Sequence, residues 1–377
     1  MIPRVCVAVV LPALAVAACG TGSDRPSADE TGSATPAVVV TSSARACTAD
    51  VDSVPAGARV VRIHNSGDKV TELYILRADG TKVAERESIE PGASEDMTVE
   101  LTEGAHTLQC LPGKNGTTVA GALTVTAAQA GGSARDGRLA AAVPAYRAYV
   151  AQQAGASLAQ ARALRAAIAA GDVAKARELY WTSRVGWESM EPVAEAFGDV
   201  DPKVDLREAD LEAGQTWTGW HVIEKQLWTK GSTAGLTPVA TQLVTDLSDL
   251  VARIHRAGIT PTSMANGAKE LLDEVATGKV TGEEEAFSHT DLVDFAANVA
   301  GAKQAWTLLK PVVVQRKLEL ATSLDQRFAA VEELLAKYRR GAGYVSYDTV
   351  TQAQRSELSR AVDGLAEPLS QLAAAVA

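Results

Sequence analysis

Cysteine, histidine and aromatic residues are all scarce in this 377-residue chain. It has four cysteines, five histidines and only 5% Phe, Trp and Tyr. Four cysteines exclude a disulfide-dense miniature scaffold, and five histidines leave few places for imidazole chemistry. Basic excess is missing too: 36 Lys and Arg face 46 Asp and Glu, a formal net charge of −10. That argues against a nucleic-acid binder, which needs a basic footprint, and is compatible with a chain that binds cations. No H-E-x-x-H helix is present, so the arrangement in which a glutamate between two zinc-binding histidines acts as base is absent. After the N-terminal segment no apolar run is long and clean enough to span a bilayer.

That N-terminal segment is itself informative. Arg4 precedes an apolar stretch from Val5 to Ala18, too short for a mature membrane helix and typical of an export signal. It ends in Leu14-Ala15-Val16-Ala17-Ala18-Cys19-Gly20, which resembles a bacterial lipobox. The expected outcome is cleavage after residue 18 and acylation of Cys19, each buried methylene contributing about 0.8 kcal/mol to anchoring. The alternative is an ordinary signal peptide in which Cys19 is incidental. Residues 19–37, rich in Gly, Ser, Thr, Pro and Ala, read as a flexible tether. The body is then expected outside the cytoplasm, held at the cell membrane. With Cys6 in the leader, only Cys47 and Cys110 remain for the folded part, as a disulfide or as metal ligands.

Two regions of different periodicity follow. Residues 38–128 carry short β-branched or alternating runs, namely Val60 to Ile63, Val70 to Leu76, Thr81 to Arg86, Met97 to Leu101, Thr107 to Cys110 and Thr117 to Thr126. Turn clusters such as Asn65-Ser66-Gly67-Asp68, Asp79-Gly80 and Glu90-Pro91-Gly92 separate them, which predicts a small all-β sandwich. Residues 129–137 read as a linker. Residues 138–377 read as an all-α bundle. Helical runs are expected over Leu139 to Ala169, from Asp172 as N-cap, and over Val239 to Ala257, Ser263 to Ala276, His289 to Leu309, Leu318 to Arg340 and Gln352 to Val376. Pro311 and Gly341 are among the breaks between them.

Within the second region lies Gly219-Trp220-His221-Val222-Ile223-Glu224. His221 and Glu224 share a helix face at i, i+3, so an imidazole nitrogen and a carboxylate oxygen can converge on one divalent first-row metal ion. An ordinary histidine–glutamate helix pair is the competing reading. Glu188 and Glu191 repeat the spacing, and Glu195 continues that face. Glu191 is the preferred additional ligand, with Glu188 beside it. Arg184, four residues before Glu188, either makes a plain intrahelical pair or neutralises an inward carboxylate cluster. Trp217, Trp220 and Trp228 are expected to pack around the His221 helix. His289 and Asp291 read as the start of a helix, with Ser288 or Thr290 as cap.

These residues carry a resemblance. The chain is similar to the EfeO family, extracytoplasmic components of a bacterial ferrous-iron uptake system. Its members join a cupredoxin-like domain to an imelysin-like domain, also called the M75 peptidase domain. The matching segments include the G-x-H-x-x-E stretch, Tyr146 to Val150, Arg184 to Glu195, Gly282-Glu283-Glu284 with Ser288 to Leu292, Ala336 to Arg339, and Glu85 to Gly92. The resemblance implies iron held by His221, Glu224 and further carboxylates, with zinc as a laboratory surrogate. It also implies a haem peroxidase and a membrane permease as partners. In the β region it implies a second metal, copper or another iron, at Cys47, Cys110, Glu72 and Glu85 or Glu87, with His64 and His106 nearby. Against that stands a Cys47–Cys110 disulfide. Family members carry an acid soon after H-x-x-E, whereas Gly235-Leu236-Thr237-Pro238 has none; Asp246 and Asp249 are the substitutes further along. The M75 label raises metallopeptidase activity as the alternative function.

Overall fold

The computed structural model describes residues 38–113, 118–127 and 137–377, except 192, 194–196, 198, 212 and 213. The expected signal, Cys19, the tether, Glu195 and nearly all of the linker lie outside the described residues.

Strands β1 (Val38–Ser42), β2 (Cys47–Ala49), β4 (Gly57–Asn65) and β7 (Ser94–Leu101) form one sheet in the order β2-β1-β4-β7. Strands β3 (Ser53–Pro55), β9 (Val119–Thr126), β8 (Gly104–Cys110), β5 (Thr71–Arg77) and β6 (Lys82–Ile89) form the other, in that order. Alternation along each strand sends Val61, Ile63, Met97 and Val99 of the first sheet and Leu73, Ile75, Leu108 and Leu123 of the second into one apolar core. Cys47 on β2 and Cys110 on β8 are both buried in that core and joined as a disulfide, with Cα atoms 5.6 Å apart, so the bond crosses between the sheets.

The helical part runs α1 (Gly137–Ala169), α2 (Val173–Glu188), α3 (Asp201–Val204), α4 (Trp220–Lys225), α5 (Leu236–Arg253), α6 (Pro261–Thr277), α7 (Asp291–Arg316), α8 (Leu318–Ala336), α9 (Gln352–Leu369) and α10 (Leu372–Val376). Its core is a separate cluster drawn entirely from residues beyond 138. Buried positions on α1, such as Leu139, Ala142, Tyr146, Val150 and Ala154, recur every three or four residues and make one inward stripe. Asp172 caps α2 as expected, accepting from the Lys175 N–H. Asn266 on α6 donates to the Thr98 carbonyl of β7, tying the bundle to the sandwich.

Several expected boundaries differ. Gly137, placed in the linker, opens α1. α7 runs through Pro311 to Arg316, because Val312 and Val313 are buried and their packing offsets the hydrogen bond that proline removes. α8 stops at Ala336, and Arg339–Arg340 and Gly343–Tyr344 pair as a hairpin (β10 and β11) turned at Gly341, whose φ is 58°. The last expected helix breaks at Ser370 into α9 and α10. Thr290 occupies the N-cap of α7 without a side-chain capping bond; the Ser288 and Thr290 hydroxyls instead point to Glu285.

Candidate metal centre

Gly219 sets the position of His221. Its φ is +85°, and a Cβ there would stand 2.1 Å from the Val204 carbonyl oxygen. Only glycine allows this backbone approach, which draws the start of α4 against the end of α3 and so brings His221 beside Asp205. Trp220, His221, Ile223 and Glu224 are then buried, with His221 only 2% exposed.

The two imidazole nitrogens face different partners. Nδ1 lies 3.1 Å from Glu224 Oε2. The other Glu224 oxygen accepts the backbone N–H groups of Phe287 (2.9 Å) and Ser288 (2.7 Å). Nε2 points to Asp205 Oδ1 at 3.2 Å and Glu284 Oε1 at 3.9 Å, yet is buried without a well-directed hydrogen bond. Asp205, His221 and Glu284 are all buried, and one ligand atom from each falls within 4.8 Å of the others. A histidine fixed through one nitrogen by a carboxylate, with the other nitrogen turned toward acidic oxygens, matches the usual surroundings of a metal-binding imidazole.

Buried carboxylates surround this group: Glu188, Glu191, Asp205, Glu224, Glu284, Glu285, Asp291 and Asp294. The buried cations among them are Arg184 and Lys279. Arg184 pairs with Glu188 and Asp205, and approaches Glu284 (3.4 Å), Glu285 (2.7 Å) and Asp294 (3.2 Å). Lys279 reaches Glu188 at 2.8 Å and Glu191 at 3.0 Å. Acids outnumber cations, and charge buried in a poorly polarisable interior is costly unless paired. Protons make up part of the difference. Burial and the neighbouring Glu224 push Glu285 well above the usual carboxylate range, and burial does the same to Asp294. Burial raises Asp291 to about 6. Burial would also raise Asp205, but the Arg184 charge and His221 hold it well below normal. For His221, burial favours the neutral ring; the facing Asp205 and Glu224 carboxylates outweigh it and push the pKa well up. A cation binding at Nε2 must therefore displace a proton.

The structure brings together His221 and Glu224, as the sequence suggested, but gives them different contacts. Glu224 is engaged by Nδ1 and two amides, behind the ring. Glu188 and Glu191 turn toward Arg184, Lys279 and Asn298 rather than toward His221. Glu191 does share a second group with Asp201 and Asp205, their oxygens within 4.8 Å. Asp246 and Asp249 lie on α5, hydrogen-bonded to Gln242 and paired with Arg253, and take no part. Gly235 to Pro238 merely starts that helix. His289 contributes a turn with φ of 55° and backbone bonds to Glu285 and Tyr347. Asp205 and Glu284 were not singled out as ligands. Glu284 lies in the Gly282-Glu283-Glu284 stretch that carries the resemblance, whereas Asp205 sits 16 residues before His221 with no motif around it.

Tryptophans enclose the group. The Trp187 Nε1–H donates to Asp205 Oδ2 at 2.6 Å, and Trp187 packs on Trp220 with ring centroids 5.8 Å apart. Trp220 lies under the Arg184 guanidinium. Trp228 packs on Tyr180, and Trp217 donates to the Leu206 carbonyl. A cleft of about 240 Å3, lined in part by Arg207, Glu208, Glu283, Glu284 and Phe287, leads to His221 and Glu224.

The second site expected in the β region does not assemble. Cys47 and Cys110 face the sandwich core as a disulfide. Glu72 belongs to the opposite face of β5, since Leu73, its neighbour, pairs with Cys110 and points inward. There the Tyr74 hydroxyl lies 2.9 Å from Glu72 and 3.3 Å from Glu87. Glu85 pairs across the strands with Tyr74, binds Lys82 and lines a cavity against α6. Strand alternation thus puts the sulfurs and these carboxylates on different faces. His64 contacts Ser94, and His106 contacts the Gly104 carbonyl.

Residues 142–372 match the imelysin family, described as Peptidase_M75. The chain is 38% identical over 343 residues, 89% of its length and 90% of theirs, to the "Iron uptake system component EfeO" of Escherichia coli strain K12 and of Shigella flexneri. The same identity and coverage hold for the protein of that name from Escherichia coli O6:H1. The chain therefore belongs to the imelysin (peptidase M75) family and, within it, to the EfeO group.

Proposed function

We propose that this protein is a lipid-anchored, extracytoplasmic iron-binding component of an iron uptake system. In this reading it captures iron with His221 Nε2, Asp205 and Glu284 and passes it to a membrane permease, with a haem peroxidase as the second partner. Glu224 orients the imidazole rather than ligating. The observation that carries the reading is the buried Nε2 of His221, which has no well-directed hydrogen bond and faces the buried carboxylates of Asp205 and Glu284, while its Nδ1 is held by Glu224. Imidazole with carboxylates suits iron and its surrogate zinc. Iron is the cargo because the similar proteins carry that name. The sandwich is proposed to be cupredoxin-like in kind; its expected copper or second iron loses its thiolate ligands to the disulfide. Cys19 is the proposed acylation site.

The peptidase reading requires a carboxylate free to act as base on metal-bound water. Glu224 already contacts His221 and two amides through its two oxygens, which favours binding over hydrolysis. Anaerobic calorimetry with ferrous iron tests the proposal: wild type should give a saturable isotherm that disappears in His221→Ala. An unchanged isotherm in that variant would refute the site. Cleavage of unfolded casein with zinc, lost in His221→Ala, would restore the peptidase.

A further inference from the structure

The mouth of the cleft above His221 lies between the short turn Glu208–Asp210 and the loop carrying Glu283 to Phe287. Arg207 stands at the first of these. Its Nε donates to Asp210 at 2.6 Å, and its Nη1 lies 3.4 Å from Glu283 Oε1 and 3.5 Å from Glu284 Oε2. Glu284 consequently faces two ways. Oε2 looks out to Arg207, while Oε1 looks in, 3.9 Å from His221 Nε2 and 3.4 Å from Arg184 Nη2.

The three Lys and Arg side chains around Glu284 among the described residues are not equivalent. Arg184 and Lys279 are 0% and 1% exposed and packed among several carboxylates. Arg207 is 28% exposed, and its other partners, Asp210 and Glu283, are about half exposed. It alone of the three has a path to solvent. An iron ion at Nε2 would draw on the same Glu284 carboxylate and repel the guanidinium beside it.

Building on the metal site proposed above, we infer that Arg207 is an exchangeable counter-cation that competes with the cargo for Glu284. Seated, it neutralises the outer oxygen of Glu284 and covers the mouth. Swung away from Glu284 while Asp210 and Glu283 keep hold of it, it frees the carboxylate for the metal. Its return favours release, which a carrier with a nearly closed site requires. Arg207 is a positioning residue here; it does not touch the metal.

The test uses the full chain with ferrous iron alone under anaerobic conditions, followed by stopped-flow tryptophan fluorescence. Arg207→Gln should tighten Kd by about threefold or more, with faster association and slower dissociation, because the competitor is gone. Arg207→Lys, which keeps the charge, should lie between the two, and reports on the idea even if the glutamine variant folds poorly. The effect should persist in about 0.5 M NaCl, where surface charges are largely screened. An unchanged or weaker Kd in Arg207→Gln overturns the inference, as does an effect that vanishes at high salt. Undiminished binding in His221→Ala would instead overturn the site itself.

Discussion

Glu224 holds His221 from behind: its Oε2 lies 3.1 Å from Nδ1, and its Oε1 accepts two backbone N–H groups from the Phe287–Ser288 turn. Residues at i, i+3 on a short helix thus do unequal work. One presents a nitrogen to the site, and the other fixes which nitrogen that is. Removing the two side chains should have distinct consequences. His221→Ala should abolish ferrous-iron binding. Glu224→Gln keeps a partner for Nδ1 but loses the charge, and should weaken binding about 10- to 100-fold, the usual cost of losing such an orienting contact. Titration of both variants checks this; equal loss in both would make Glu224 a direct ligand.

Gly219→Ala should be more damaging than a typical surface glycine change. A methyl group would collide with the Val204 carbonyl 2.1 Å away, at a φ of +85° that L-residues rarely adopt. The expected loss is about 2 kcal/mol or more of stability, with loss of iron binding, because Asp205 adjoins Val204. Thermal melting and iron titration together test it. Normal affinity in a stable variant would show that the close approach does not position the site.

The visibility of the site in the sequence followed its geometry. His221 and Glu224 are neighbours on one helical turn, so spacing alone suggested that they meet, which they do. Asp172 as a cap and the β-branched runs of β4 and β5 were legible for the same local reason. Asp205 and Glu284 reach His221 from a short turn and an irregular loop, where no periodicity marks an inward side chain. Glu188 and Glu191 showed the right spacing, but Lys279, 88 residues beyond Glu191, occupies them instead. In the β region, the expected ligand set mixed core-facing cysteines with carboxylates on the outer face of neighbouring strands, which only the register resolves.

Asp291 supplies a pH-dependent component of stability with a definite sign. Burial raises its pKa to about 6 from an ordinary 3.8. The folded state therefore binds more protons than the unfolded state between those values, so stability contributed by this group is present at low pH and lost as pH rises through about 6. The shift corresponds to roughly 3 kcal/mol at neutral pH. Asp291→Asn retains an oxygen for the Glu285 N–H and should raise the melting temperature at pH 7 more than at pH 4.5. An equal change at both values would contradict the assignment.

Iron binding should release protons. His221 is held in its charged form by Asp205 and Glu224, and only the neutral ring can ligate. Affinity should fall as pH is lowered from 8 to 6, with about one proton released per iron in buffers of different ionisation enthalpy. The hydrogen bond from Trp187 to Asp205 should make tryptophan fluorescence respond to the same event, and Trp187→Phe should remove most of that response. A pH-independent affinity would argue against a protonated His221.

The disulfide and the metal centre should be separable. Cys47 and Cys110 belong to the sandwich core and His221 to the helical core. Reduction, or a Cys47→Ser and Cys110→Ser double substitution, should cost about 2–4 kcal/mol of stability without changing iron affinity. Loss of iron binding on reduction would place a ligand in the β region.

The most direct test of the metal site is anomalous scattering at the iron edge from crystals grown with ferrous iron. The account predicts a peak within bonding distance of His221 Nε2 and of carboxylate oxygens from Asp205 and Glu284, with Glu224 remaining on Nδ1. A peak bonded to Glu224 instead, or one in the β region with none at His221, would contradict it.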